Sequence, residues 1–144
     1  MIVLDTTILA YAAGADHPLR DPCRRILEAA SRGSLLAVTT THVIEEFVHV
    51  RSRRRPRDDA AELGRRYSTL LAPLIATDAD DLIEGLRLFV AHPELGSFDA
   101  VLAAVALRRG ADALVSADRA FSVVPGLRHL YPMDLRGVED LLEE

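Results

Sequence analysis

The sequence predicts an α/β protein built on a parallel sheet of about five strands, with helices covering both faces. Three observations carry this. Short apolar runs such as Ile2-Val3-Leu4 and Ala113-Leu114-Val115 read as strands buried on both sides. Segments with helical spacing alternate with those runs along the whole chain, the pattern of βαβ units. Two of the runs stop at an acid, Asp5 in one case and Asp118 just beyond the other. In open α/β sheets ligands bind outside the carboxyl ends of the strands, so acids placed there are candidates for chemistry.

Taken in order, the first strand, Ile2 to Leu4, ends on Asp5. Thr6 or Thr7 then caps a short helix through Ile8, Leu9 and Tyr11. Gly14 to Pro18 is a loop. Asp21-Pro22 opens a second helix, with Asp as the cap and Pro in the first position, and Gly33 stops it. Leu35 to Val38 is the second strand. Thr41 caps the next helix, whose apolar stripe is Val43, Ile44, Phe47, Val48 and Val50. Glu46 borders that stripe and Glu45 points further toward solvent. Asp58-Asp59 starts another helix, Leu74 to Ala76 forms a strand, and Asp78 to Asp81 is an acidic helix start. Leu82, Ile83, Leu86 and Phe89 carry that helix to His92-Pro93. Leu127 to Tyr131 is an edge strand, and Asp134 to Leu142 a terminal helix.

The stretch from Ser97 to Phe121 organises the rest. Ser97 caps a helix on which Phe98, Val101, Leu102 and Val105 recur at helical spacing, and Gly110 ends it. Asp99 is the only charged residue between Ser97 and Leu107, and alanines fill the other faces. Such a helix is buried nearly all round, and a buried carboxylate needs a partner. Two partners are open: the positive end of the helix's own dipole, or a metal ion.

Composition narrows the classes. The 144 residues are read as one domain spanning 1–144, 49% hydrophobic and 27% charged, with no repeat or low-complexity linker. The net charge of −5 means that any nucleic-acid binding is local. No apolar run approaches the ~20 residues of a membrane span. The N-terminal stretch lacks a basic region and is interrupted by Asp5, so it is not read as a signal peptide. The single cysteine, Cys23, fits a reducing cytoplasm. All 17 basic residues other than histidine are arginine. Five of them, Arg51, Arg53, Arg54, Arg55 and Arg57, follow the helix that bears Glu46. They are either a solvated helix end or a phosphate-binding patch.

Asp5, Glu46, Asp99 and Asp118 form the candidate constellation. The βαβ layout can bring them to one sheet edge, where converging carboxylates require a counterion. A hard divalent cation with oxygen ligands, Mg²⁺ or Mn²⁺, is the natural one. Such an ion activates water against a phosphodiester without a protein nucleophile. Competing motifs are absent: DTTIL follows the first strand in place of a glycine-rich loop, and there is neither a G-x-S-x-G elbow nor an HExxH.

Four pieces, in order, carry a family resemblance. They are Leu4-Asp5-Thr6-Thr7, Val43-Ile44-Glu45-Glu46-Phe47 after a threonine-rich strand exit, Phe98-Asp99-Ala100 before an alanine-rich helix, and Leu114-Val115-Ser116-Ala117-Asp118-Arg119-Ala120-Phe121. Together they span nearly the whole chain, which resembles the PIN-domain ribonucleases and, among them, the VapC-like toxins of toxin–antitoxin pairs. The resemblance implies an Mg²⁺- or Mn²⁺-dependent endoribonuclease that leaves 5′-phosphate and 3′-hydroxyl ends. It implies Asp5 and Asp99 as direct metal ligands, with Glu46 and Asp118 completing the site directly or through water, and Thr6 and Ser116 as supporting residues. Many relatives carry a further acid two residues after the last one, where this chain has Ala120. The resemblance also implies a homodimer and a tight complex with a VapB-like antitoxin. Ile8, Leu9, Tyr11 and Ile26 on the first helices are the apolar positions expected to supply an interface. An RNA-processing PIN nuclease with a housekeeping role and a nuclease-dead binding module are the alternatives, and the intact acidic quartet opposes the second.

Overall fold

The computed structural model describes residues 1–143. Four parallel strands, β1 (Ile2–Leu4), β2 (Ala37–Val38), β3 (Ala113–Val115) and β4 (His129–Leu130), lie in the order β2-β1-β3-β4. Helices α1 (Thr6–Ala13) and α2 (Arg20–Ser31) connect β1 to β2. Helices α3 (Thr41–Ser52), α4 (Arg57–Leu70), α5 (Ala79–Ala91) and α6 (Ser97–Arg108) connect β2 to β3. A 3₁₀ turn, Arg119–Val123, precedes β4, and α7 (Leu135–Glu143) closes the described chain. Every residue of β1, β2 and β3 is buried, as expected of a parallel sheet covered on both faces.

The chain leaves β1 toward β2 on one side and returns to β3 on the other. The crevice between β1 and β3 is therefore the topological switch point, where the loops diverge and leave room for a ligand. The register pairs Leu4 with Val115, so the residues just beyond, Asp5 and Ser116, emerge side by side although 111 positions apart.

The expected fifth strand is reduced to one bridge. Within Leu74 to Ala76 only Ile75 pairs, donating to Thr39 O at 2.9 Å and accepting from Thr41 N at 3.1 Å. Pro73 has no N–H to extend the ladder, while Thr41 already begins α3 and Asp78 already caps α5.

Helix starts shift by one or two positions. Asp5, in place of Thr6 or Thr7, caps α1 and accepts from Thr7 N. Thr40, in place of Thr41, caps α3. Gly96 precedes α6, so Ser97 is its first residue and Asp99 its third. Helix α2 begins at Arg20, with Leu19 at the cap position and no side-chain cap. Gly110, at φ 63°, takes the left-handed turn that ends α6.

The expectation that the first helices supply an apolar interface is corrected. Ile8 and Leu9 are 0% exposed and Ile26 is 2% exposed, so the first helices bury these side chains in the protein's own core. The open apolar face belongs to α5, where Leu82, Ile83, Leu86, Phe89 and Val90 are exposed. That helix docks through Asp81, Gly85 and Leu88, a stripe one helical turn apart. A Cβ added at Gly85 would lie 2.7 Å from Val101 Cα, so glycine allows α5 to lie against α6. Buried Asp81 joins the two helices. Burial raises its pKa, but hydrogen bonds from Arg109, the Asp78 backbone and Arg108 more than offset this, holding the carboxyl below its usual range. Arg109 grips it with two bonds of 2.9 Å. Cys23 is fully buried, and desolvation pushes its thiol up to about 12, so it is inert.

Candidate active site

Asp5 sits at the end of β1 and is 4% exposed. Its Oδ2 accepts from Ser116 Oγ at 2.6 Å and from Thr7 Oγ1 at 2.9 Å. These bonds leave Oδ1 without a protein donor among the described residues. Ser116, fully buried at the end of β3, also accepts from Asp118 N at 2.9 Å. Thr7 accepts from Ala117 N at 2.9 Å. Two hydroxyls therefore staple the ends of β1 and β3 together and fix the orientation of Asp5. Asp118 is exposed and caps the 3₁₀ turn through a 2.9 Å bond from Ala120 N.

Glu46 comes from α3. Thr39 anchors the entry to this helix by donating to Leu4 O at 2.7 Å, and Thr40 caps its first turn. Glu46 is half-buried and accepts from Thr6 Oγ1 at 2.9 Å. Glu45 is exposed and lines a different surface cavity, with Val48 and Arg57. Of the adjacent pair, only Glu46 turns toward Asp5.

Asp99, in the first turn of α6, is where the electrostatics concentrate. Burial raises its pKa. The charges of Asp5, Asp118 and Glu46 add to the rise, as does a hydrogen bond with Asp118, and together they bring it to about 7. The helix dipole alone would favour the charged form. The four acids thus share one electrostatic site, drawn from β1, α3, α6 and the end of β3.

Two cavities meet at these acids. One, of about 530 Å³, is lined by Asp5, Glu46, Asp99 and Asp118 and by one face of α1. The other, of about 210 Å³, shares Asp5, Glu46 and Asp99 and runs past His42 and Phe98 to Leu82. Among the described residues, no three His, Cys, Asp or Glu side chains are already closed into a metal cage. Carboxylates with no cation between them repel, and here a raised pKa relieves part of that repulsion. An all-oxygen donor set at a switch-point crevice fits Mg²⁺ or Mn²⁺, which keep several waters and take only a few protein carboxylates.

Thr7 was not singled out from the sequence as a supporting residue, yet it touches both strand ends. Its signal was its position two residues after a strand-end acid, where a hydroxyl can return to the Asp5 side chain. Thr6 and Ser116 both contact the acids, but Thr6 serves Glu46, and Asp5 relies on Thr7 and Ser116. Arg53, Arg54 and Arg55 are exposed and stand outside the ion pairs that engage Arg51, Arg65, Arg87 and Arg109. Arg54 alone among the three lines the acidic cavity.

The PIN domain family model matches residues 2–127. Ribonuclease VapC7 of Mycobacterium tuberculosis is 51% identical, across 99% of this chain and 98% of that protein. Ribonuclease VapC23 of the same species is 33% identical, across 76% of this chain and 86% of that protein. Among solved structures, M. tuberculosis VapC20, described as a sarcin-ricin loop cleaving toxin, superposes with a TM-score of 0.72 at 20% identity, covering 85% of this chain and 93% of that one. FitAcB from Neisseria gonorrhoeae superposes with a TM-score of 0.71 at 15% identity, covering 93% and 99%. A full-length relative of this similarity, the matched family model and the shared fold agree: the chain belongs to the PIN-domain family, in its VapC branch.

Proposed function

We infer that this chain is a divalent-metal-dependent endoribonuclease acting as the toxin of a toxin–antitoxin pair. The observation that carries the reading is the electrostatic coupling of Asp99 to Asp5, Glu46 and Asp118 at the sheet's switch point. Family membership supplies the substrate class, RNA.

In this reading Asp5 and Asp99 would hold the cation directly, and Glu46 and Asp118 would complete the site directly or through water. Mg²⁺, or Mn²⁺ in its place, supplies Lewis acidity that lowers the pKa of an attacking water and offsets charge on the phosphodiester. The chain's own residues do the positioning. Ser116 and Thr7 fix Asp5 in one rotamer, and Thr6 holds Glu46. Asp99, whose pKa is pushed up to about 7 without a cation, would have to be ionised to serve as a ligand. Arg53, Arg54 and Arg55 grip RNA phosphates beyond the centre.

A VapB-like antitoxin and a second copy of the chain complete the reading. Support comes from family membership and from the exposed Leu82, Leu86 and Phe89 face of α5, which is too apolar for an idle surface. A cytoplasmic setting is supported by the lone buried Cys23. Among the described residues no helix is long and apolar enough to cross a membrane.

The test is cleavage of RNA by the purified protein with Mg²⁺, with Mn²⁺ and with EDTA, beside Asp5→Asn and Asp99→Asn. Cleavage that requires the metal and falls by orders of magnitude in both variants is the expected result. Full activity in EDTA overturns the metal mechanism. Induced expression is expected to arrest growth, with relief by a co-expressed antitoxin. Harmless expression of an active enzyme removes the toxin assignment.

A further inference from the structure

The acidic cavity does not stop at the acids. It continues as a groove between α1 and α3, whose two walls follow from helical periodicity. On α1, Thr7, Ala10 and Tyr11 line the cavity, with Gly14 just past the helix end; on α3, Glu46 and Val50 share one face, and Arg54 follows in the turn beyond it. From Glu46 to Val50 is one helical turn, ~6 Å at the helical rise, and Arg54 comes just after the helix ends. The small residues Ala10, Gly14 and Ala15 line both this cavity and an adjoining one of about 530 Å³, which Arg51, Arg53, Arg54 and Arg55 border. The two adjoining cavities thus lead from the carboxylates to Arg53, Arg54 and Arg55, which make no ion pair among the described residues.

The far wall is aromatic. Tyr11 and His17 lie with ring centroids 4.6 Å apart and planes 33° apart, and both line the cavity. His17 Nδ1 accepts from Leu19 N at 3.1 Å, which fixes the ring's orientation. A carboxylate centre, a pair of rings beside it and an arginine further along match the parts of a nucleotide in order: a cleaved bond, a flat base and the neighbouring phosphate. Single-stranded RNA is held in this way, by stacking on aromatic rings along a basic track.

We propose that the groove between α1 and α3 is a nucleotide subsite, in which Tyr11 and His17 stack an unpaired base beside the cleaved bond and Arg54 takes a neighbouring phosphate. The assignment rests on the ribonuclease reading and adds residues that set which RNA is cut. The stacked pair on the other side of the acids, His42 and Phe98, is not assigned this role. Its cavity also takes in Leu82, on the exposed apolar face of α5, and that continuity suits a protein contact.

The test uses short single-stranded RNAs of randomised sequence carrying one 2-aminopurine, whose fluorescence is quenched by stacking. They are titrated into the full chain bearing Asp99→Asn, so that cleavage does not deplete the probe. Binding is expected to quench the base. Adding Tyr11→Leu removes the quench and weakens binding roughly tenfold while leaving the salt dependence unchanged. Tyr11→Phe keeps both quench and affinity. Arg54→Gln lowers the salt slope by about one phosphate and keeps the quench. His17 lies in an exposed loop, so His17→Ala leaves the fold intact and carries the test if Tyr11→Leu melts early. RNA binding with a quench that survives both Tyr11→Leu and His17→Ala overturns the subsite and leaves the nuclease reading standing. Absence of RNA binding in the Asp99→Asn parent overturns both. Variants that bind RNA normally but lose a co-expressed antitoxin show that the groove docks protein, which also overturns the subsite.

Discussion

Ser116 Oγ lies 2.6 Å from Oδ2 of Asp5, across 111 positions of sequence, because the β1–β3 register places the two strand ends side by side. The same hydroxyl accepts from Asp118 N, so one buried side chain orients the Asp5 carboxylate and anchors the backbone that carries Asp118. Ser116→Ala is expected to leave the fold in place at a cost of about 1 kcal/mol. It is expected to lower Mn²⁺ affinity about 10–100-fold, as when the partner of a metal ligand is removed. Calorimetric titration with Mn²⁺, beside a thermal melt, checks both.

Asp99 predicts an unusual pH response of the metal-free protein. Its folded pKa, about 7, lies above the ordinary value of 3.8, so the folded state binds the extra proton between those values. Stability is then highest at the acid end of this window and falls as pH rises toward 7. Asp99→Asn is expected to flatten this limb and to melt no lower than the parent at pH 7 without metal. Saturating Mn²⁺ raises the parent by up to ~2.7 kcal/mol at one hundred times Kd and the variant much less. Equal responses to Mn²⁺ would remove Asp99 from the site.

The strands β1 and β3, the order of helices and the four acids were legible in the sequence, because apolar runs and helical spacing are local signals. What the sequence did not show depends on contacts between distant segments. Thr7 reads as a helix cap until β3 is placed beside it. Leu82, Ile83, Leu86 and Phe89 carry a helical period, but periodicity does not say which stripe faces inward. Here the docking stripe is Asp81, Gly85 and Leu88, of which only Leu88 looks like core. The fifth strand failed because hydrophobicity does not count hydrogen-bond donors, and Pro73 lacks one.

Arg53, Arg54 and Arg55 are expected to act on RNA as a group. Their joint replacement by glutamine should weaken binding and flatten its salt dependence, since each phosphate contact releases a counterion. Thermal stability should change little, because among the described residues none of the three is engaged in an ion pair while Arg51 is tied to Asp59 and to Ala13 O. Fluorescence anisotropy of a labelled RNA across a salt series measures the slope. An unchanged slope assigns the cluster to solvation of the helix end.

Gly85→Ala tests the close approach of α5 and α6. The new Cβ would meet Val101 at 2.6 Å on Cγ2 and 2.7 Å on Cα, and the second contact is backbone that cannot rotate away. Overpacking of this kind costs about 1–3 kcal/mol even though alanine favours helix. A urea melt that shows no loss would mean that the two helices separate freely. In that case Leu82 would not be held in place beside the acidic centre.

Asp81 supplies the opposite limb of the pH profile. Burial raises its pKa, but the bonds from Arg109, the Asp78 backbone and Arg108 outweigh burial, so the folded value lies below 3.8. A depressed folded pKa gives stability that is present above the ordinary value and is lost as pH falls through the folded one. The metal-free protein should therefore weaken below pH 4 through Asp81 and toward pH 7 through Asp99, with its greatest stability between them. Asp81→Asn keeps the shape but removes the charge that Arg108 and Arg109 share. The stranded guanidiniums are about one third exposed and regain water, so the expected loss is about 1–3 kcal/mol, less than for a sealed pair. The variant should lose the acid limb and keep the fall in stability toward pH 7, while Asp99→Asn does the reverse. Melting temperatures of parent and both variants across pH 3 to 8 in EDTA resolve the two limbs, and a profile in which either substitution moves both would show that the helix clamp and the acidic centre are one coupled network.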